Sequence, residues 1–483
     1  MKRELIFDCA PDWLRAAVVE DGVLCELHSE PVGSLKATES LFYGRVEQIR
    51  PSVGAAFVNI GLERNGFLPL DELGDAPLRC GDMLIVQGAA RQETEGKGLR
   101  LTVRVNLAGK GLVLVPGGSG AHVSKKVKDA QARAQLLEAA QALCPEGCGL
   151  IVRTASQDVT MALLEEEADM LFGQWQDAKR RAAGMTRPGV LLERLPLDRR
   201  LVRDMAGREL HRIVTNSAES AEAYAGMQRG GLIPDSARIE RFEETEQLIF
   251  DALGIEPQID RALKKRVWLP CGGYLIIDRC EAMTVIDVNS GKMILGQSME
   301  DTALRVNLEA AREVTRQMRL RDMGGMVVVD FIDMALPEHR ETLVRALRDA
   351  AKEDRAQVKV FGLTPLGLME LTRKRVHAEL HRQLCAPCTY CAGTGEVLSP
   401  DEVARRALYA VRRKALSGQL GPFLVRLSPA AARALSGRVC PEECAVYALG
   451  VPGRHAETFD IEPVDPAAGL PKGAVRLAER MEA

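Results

Sequence analysis

The chain has 483 residues, 46% of them hydrophobic, enough for about three or more domains with their own cores, which excludes a disordered protein. Its 64 Lys+Arg and 67 Asp+Glu leave a net charge of -3, so no global basic excess marks a polyanion partner, and any nucleic-acid surface must be local. No run of about 18 apolar residues could span a bilayer, and Met1-Lys2-Arg3-Glu4 meets an acid before any signal-like apolar region, which predicts a cytoplasmic protein with no membrane partner.

From Lys2 to about Lys36, short apolar runs (Glu4 to Phe7, Arg15 to Val19, Val23 to Leu27) alternate with turn signals such as Asp21-Gly22. This predicts a small antiparallel sheet, too short to be a whole domain. Five further runs follow: Phe42 to Ile49, Ala55 to Ile60, Gly66 to Leu70, Met83 to Gly88 and Leu99 to Val105. About five glycine-separated strands in about 65 residues fit a small closed barrel of the OB type. Phe57 and Phe67 fall on neighbouring strands of that barrel. They could stack on nucleobases, with Lys97 and Arg100 on the nucleic-acid backbone, or they could fill the barrel core, and spacing leaves both open.

After Pro116 come a Gly-rich turn, a basic patch (Lys125, Lys126, Lys128) and a helical run to Leu143. A strand from Gly149 to Thr154 and a long helix from about Thr160 to Arg181 follow. Arg153 and Thr154 end that strand as a fork of donors beside a hydroxyl, which suits a phosphate monoester, although an ordinary strand-end pair has the same look. The strands and helices between about Gly189 and Gln258 contain no cluster that carries chemistry. They are expected to complete the opening sheet if the barrel is an insertion.

The chemistry concentrates further on. Gly273 to Asp278 and Met283 to Asn289 read as a hairpin closed by Ser290-Gly291, and strand alternation puts Val285, Asp287 and Asn289 on one face. A helix from about Met299 to Arg321 repeats Leu304, Leu308, Ala311, Val314 and Met318, and Gly324-Gly325 ends it. The strand Met326 to Asp333 is almost continuously apolar, as expected where both faces are covered, and Asp330 interrupts it. Strand, helix and strand between Asp287 and Asp330 allow a crossover that sets the two strands parallel and close, with both carboxylates toward the strand ends. In a low dielectric such a pair would repel unless a cation neutralised it, and Mg²⁺ suits one or two carboxylates completed by water and phosphate. The bland alternative makes Asp330 a cap or an ion-pair partner, and Asp333 is expected to cap the next helix.

Twelve cysteines in a chain of this size read as reduced thiols with one metal cluster. Cys385-Ala386-Pro387-Cys388-Thr389-Tyr390-Cys391, followed by glycines, has zinc-knuckle spacing, yet no second C-x-x-C supplies the other ligands. Cys388 and Cys391 therefore suit half of a Zn²⁺ site shared with a second copy, with Cys385 as a further candidate and Cys440 and Cys444 recruitable.

Several strings in this order resemble the bacterial ribonuclease E/G family: Gly66-Phe67-Leu68-Pro69-Leu70, Ile151-Val152-Arg153-Thr154-Ala155, Ile286-Asp287-Val288-Asn289-Ser290-Gly291, Leu320-Arg321-Asp322-Met323-Gly324-Gly325 and Val329-Asp330-Phe331-Ile332-Asp333-Met334. The resemblance implies an α+β multidomain chain: an OB-fold barrel (36–107) inserted in a split RNase H-like domain (1–35 and 195–262), a 5′-phosphate sensor region (108–194), a DNase I-like catalytic domain (263–384), a zinc link (385–395) and a small dimerisation domain (396–483). It further implies catalytic Mg²⁺ on Asp287 and Asp330, with Asn289 positioning the scissile phosphate. Arg153, Thr154 and the backbone near Val113 would sense a 5′-monophosphate, and Phe57, Phe67 and Lys97 would contact RNA. Cys388 and Cys391 would hold inter-subunit Zn²⁺ in a homodimer or dimer of dimers.

Two departures matter. The zinc-link motif reads Cys388-Thr389-Tyr390-Cys391 with Cys385 upstream, which leaves the ligand pair open, and no long degradosome scaffold tail is present in this sequence, which favours the ribonuclease G side. The implied function is an Mg²⁺-dependent endoribonuclease that cuts single-stranded A/U-rich RNA, prefers a 5′-monophosphate, and acts in ribosomal RNA 5′-end maturation and mRNA decay. The alternative is an RNA-binding protein of the same fold without catalysis. A zinc hydrolase centred on the cysteines lacks an open ligand position and a general base.

Overall fold

The computed structural model describes residues 2–478 apart from 34–35, 75–76, 90–97, 125–126, 128, 154–159, 208, 292–298, 420 and 440–443. Two compact units, Met1–Leu384 and Cys385–Ala483, divide the chain.

The opening runs form an antiparallel meander of β1 (Arg3–Cys9), β2 (Trp13–Glu20) and β3 (Val23–Pro31). Asp21 and Gly22 between the last two both have positive φ, 48° and 82°, the backbone that a tight two-residue hairpin requires. The next strands are β4 (Leu41–Arg50), β5 (Ala55–Asn59), β6 (Gly66–Pro69), β7 (Met83–Gly88) and β8 (Leu101–Thr102), in the order β6-β5-β4-β7-β8. Phe67 N–H donates to Leu99 O at 2.7 Å, which nearly closes the sheet into a barrel consistent with the OB fold. Phe42, Val46, Val58, Leu68 and Leu101 fill it.

A second layer pairs β9 (Leu107–Ala108), β10 (Leu112–Pro116), β11 (Gly120–Val123) and β12 (Cys148–Val152) under α1 (Ala130–Leu143) and α2 (Met161–Gly184). Asp129 and Thr160 start the helices by accepting from Ala132 N and Leu163 N. The next strand, β13 (Gly189–Leu192), returns to the barrel and pairs antiparallel with β4, burying Leu191. Past α3 (Leu197–Met205), β14 (Leu210–Thr215), α4 (Ala218–Arg229) and β15 (Arg238–Arg241) complete the opening sheet in the order β15-β14-β1-β2-β3. Two short helices, α5 (Ile249–Ala252) and α6 (Glu256–Ala262), cover its far side with Ile249, Phe250 and Ile259.

The fourth sheet follows: β16 (Arg266–Trp268), β17 (Tyr274–Arg279), β18 (Met283–Asn289), α7 (Met299–Leu320), β19 (Gly325–Asp330), α8 (Pro337–Ala350), β20 (Val358–Leu363) and β21 (Leu368–Arg373), then α9 (Leu380–Leu384). Strand order is β16-β17-β18-β19-β21-β20. Leu275, Ile277, Ile286, Val288, Val327, Val329 and Met369 pack on one face against Val306, Ala310 and Val314 of α7 and Leu343 and Leu347 of α8. The apolar run of β19 predicted cover on both faces, and that expectation fails. Both helices take the same face, so Met326 is exposed and Val328 only half-buried.

The second unit contains α10 (Pro400–Leu416), β22 (Phe423–Leu427), α11 (Pro429–Ser436), β23 (Val446–Gly450), β24 (Asp460–Pro463) and β25 (Val475–Arg476), with strand order β24-β22-β23-β25. Ser399 and Ser428 cap its two helices, each followed by Pro at the first position. Among the described residues no helix is long and apolar enough to cross a membrane.

Candidate active site and RNA-facing surfaces

Strands β18 and β19 are parallel neighbours whose register sets Asp287 directly against Asp330. Alternation decides which way they point: Thr284, Ile286 and Val288 go down to the helices, while Met283, Val285, Asp287 and Asn289 go up to the open face. Asp330 is the last residue of β19 and is exposed, as is Asp287. The expectation of a carboxylate kept at a cost inside a covered strand is therefore corrected: the strand ends there, and water reaches both acids.

Asn289 donates its Nδ2–H to Asp287 Oδ2 at 2.7 Å. Among the described residues neither aspartate has a Lys or Arg partner, so Asp330 is neither a cap nor half of an ion pair. No three His, Cys, Asp or Glu among the described residues gather to hold a metal, and the donors those residues bring to this point are two carboxylates and one amide. That set fits a hard divalent cation that retains waters and takes phosphate oxygens, and it does not fit a closed zinc site.

Two backbone devices hold the pair in place. Gly291, just past β18, has φ +66°, and a Cβ there would lie 2.4 Å from Gly272 O, so only glycine fits the turn that brings β18 against the loop before β17. Asn307, fully buried on α7, donates Nδ2–H to Ile332 O at 2.8 Å and accepts from Ile332 N at 3.0 Å. It pins the chain two residues beyond Asp330. Sequence reasoning gave this residue no role; the signal was a lone amide inside an otherwise apolar helical stripe. The buried stripe itself runs through Ala303, Val306, Ala310, Val314 and Met318, with Leu304 only at its margin. Asp333 does not cap α8: its N-cap position is Leu336, which makes no side-chain bond.

Phe57 and Phe67 stand directly opposite in the β5/β6 ladder with ring centroids 6.1 Å apart, edge to face. Both are half-buried while their neighbours Ala56, Val58 and Leu68 are fully buried, so the rings lie on the barrel's outer side and not in its core. The Arg50 guanidinium lies 5.6 Å from the Phe57 centroid. Lys97 falls outside the described residues.

Arg153 follows β12, where Val113 pairs with Ile151. Its guanidinium donates to Gly109 O and to Asp204 Oδ1, the latter at 2.9 Å, and its backbone N–H to Gly111 O at 2.7 Å. Burial pushes the Asp204 carboxyl up, but Arg203 and then Arg153 outweigh it and hold the group below the usual carboxylate range. Buried Glu167 of α2 orders the same loop by accepting from the amides of Lys110, Gly111 and Leu112. Thr154 falls outside the described residues.

In the second unit, the Gly395 amide donates to Cys391 Sγ at 3.3 Å. Bonds from Gly395 and Gly393, with a smaller one from Cys388, hold the Cys391 thiol below its ordinary value, the state a zinc ligand needs. Cys385 does not join Cys388 and Cys391 in a three-ligand cluster, and Cys440 lies outside the described residues.

The family model for the Ribonuclease E/G family matches residues 106–376, which spans Arg153, Asp287, Asn289 and Asp330. The chain belongs to the ribonuclease E/G family. It is 33% identical to ribonuclease G of Escherichia coli over 90% of this chain and 93% of that protein, and 31% identical to ribonuclease G of Haemophilus influenzae over 88% and 90%. Against ribonuclease E of Escherichia coli it is 33% identical over 86% of this chain but only 41% of the longer protein. Within the ribonuclease E/G family, this chain is thus close to ribonuclease G in extent.

Proposed function

We propose that this chain is an endoribonuclease of RNA processing that hydrolyses single-stranded RNA at the open face of the fourth sheet. The carrying observation is the register of Asp287 against Asp330, two exposed carboxylates with no basic partner among the described residues and an amide beside them. Asp287 and Asp330 hold Mg²⁺, and Asn289 orients the Asp287 carboxylate and offers its remaining N–H to the scissile phosphate. When bound, the cation supplies Lewis-acid neutralisation of charge developing on the phosphate. The uncovered face admits a flexible single strand edge-on to the carboxylates.

The finer assignments extend this reading. Phe57 and Phe67, with Lys97, stack on and neutralise an A/U-rich strand led away from the cut, since half-exposed aromatics are sequence-tolerant platforms. Arg153 and Thr154, with the backbone at Val113, take the 5′-monophosphate, and ribosomal RNA 5′ ends and decaying mRNA are the substrates. Residues 1–35 and 195–262 are an RNase H-like domain, 36–107 the OB-fold barrel, 108–194 the sensor region and 263–384 a DNase I-like domain. Residues 385–395 are a zinc link through which Cys388 and Cys391 join two copies, with 396–483 a dimerisation domain, in a cytoplasmic homodimer or dimer of dimers.

The test is cleavage of a 5′-monophosphorylated RNA oligomer by purified protein. Cutting is expected to require Mg²⁺ and to disappear with Asp287→Asn or Asp330→Asn; undiminished cutting by either variant or in EDTA would overturn the assignment.

A further inference from the structure

The register that pairs the two aspartates continues across the sheet. Arg266, Ile276, Asp287, Asp330 and Leu368 form one row on five adjacent strands, and Trp268, Tyr274 and Asn289 form the next. Directly opposed residues share a face, so Trp268 and Tyr274 stand on the same open surface as the carboxylates. Trp268 is 63% exposed on the edge strand β16, an uncommon place to leave the largest apolar side chain. Its ring meets that of Tyr274 edge to face at 5.2 Å, and the Arg266 guanidinium lies 4.7 Å from the Tyr274 centroid and 5.7 Å from that of Trp268. The three side chains brace one another into a fixed ledge with a positive edge.

We propose that Trp268 and Tyr274, braced by Arg266, are a base-stacking ledge for a nucleotide next to the scissile bond. The occupant is a nucleobase of the RNA strand. Two strand spacings, about 10 Å, separate Trp268 from Asn289, so nucleotides adjoining the cut reach it. An indole and a phenol present π faces that every base can use, and the guanidinium suits the phosphate that accompanies the base. The ledge is continuous with the proposed catalytic row and rests on that reading of it. It would set which nucleotides flank the cleaved bond, a selection separate from the barrel's Phe57 and Phe67.

The test uses an RNA oligomer with one scissile linkage and a set of copies in which a single base is removed at successive positions. With the unaltered chain, loss of one base close to the cut should raise KM about tenfold, with kcat changed less than about twofold. Trp268→Ala should raise KM by a similar factor on intact RNA and cause no further rise on that abasic copy, while Trp268→Phe restores most of the loss. Independent losses that multiply, or an unchanged KM in Trp268→Ala, would overturn the proposal, as would a change in oligomeric state alone. A second readout does not need cleavage: in Asp330→Asn with Trp13 and Trp175 replaced by Phe, RNA should quench the remaining indole, Trp268. Quenching in a chain that still cuts would keep the ledge and remove the catalytic assignment; no quenching would remove the ledge.

Discussion

Two groups of acids in this chain meet opposite circumstances. Where α7 crosses the opening sheet, Glu26 is buried and Glu20 half-buried, and Arg319 bridges them with contacts of 2.9 Å and 3.2 Å while Arg355 reaches Glu26 at 2.7 Å. On the other side of the same sheet-and-helix layer, Asp287 and Asp330 are exposed, and among the described residues Asn289 bonds Asp287 while neither acid has a basic partner. The first group is complete within the chain: its charges are matched, and Leu24 and Leu320 seal the joint. The second has no matching charge among the described residues.

The sharpest break of that comparison is on the open side. Asp330→Asn should cut the cleavage rate on the order of 10²–10³-fold or more while moving the Tm by only about 1 °C, as measured by oligomer cleavage and calorimetry. Arg319→Met should do the reverse in kind. It removes the cation that Glu20 and Glu26 share, leaving Arg3 on the first and Arg355 on the second, and should cost about 1.5–3 kcal/mol of stability, read by denaturant unfolding. Asn307→Leu falls between the groups. It orphans the N–H and C=O of Ile332 at about 1–3 kcal/mol each, so both stability and the cleavage rate should drop, because the end of β19 loses its tether.

Acid sharpens the contrast. Burial pushes both carboxyls up, yet Arg319 and Arg3 for Glu20, and Arg355, His28 and Arg319 for Glu26, hold them below the usual range. Groups with depressed folded values contribute stability that is fully present above their unfolded value, near 4.5, and lost as pH falls through the folded value. Tm should therefore hold from neutral pH down to about 5 and fall below that, with a shallower fall in Arg319→Met. The smallest effect belongs to the cysteines. Cys388→Ser should lower bound zinc and shift the chain toward monomer in sedimentation, with single-strand cleavage reduced only a fewfold, on the order of the loss of one shared ligand.

Much of this layout was legible in the sequence because it rests on period. Alternation alone placed Asp287 with Asn289, the helix from Met299 ended one residue from its expected limit, and Asp21-Gly22 announced its hairpin. What period cannot give is how many faces a sheet has covered. Val327 to Val329 reads as a fully enclosed strand, but both helices lie on one side, and only the fold reveals that Asp330 faces water. Long-range partners were equally invisible: Asn307 looks like a stray amide until Ile332 arrives from the segment after β19, and Glu167 like any helix acid until it meets the amides of 110–112. His377 and His381 have the four-residue spacing of helix neighbours, yet His377 precedes α9 and bonds Asp322 at 3.0 Å.

The pairing of Asp287 with Asp330 has a consequence for how such a chain can change. A strand's side chains reverse with every step, so one residue added between Thr284 and Asp287, with the pairing before it kept, would swing Asp287 onto the helices. Length can vary freely in the crossover between the strands, since it touches neither parity. The site is thus protected by arithmetic: substitutions can weaken it by degrees, but insertions inside its two strands either spare it or abolish it.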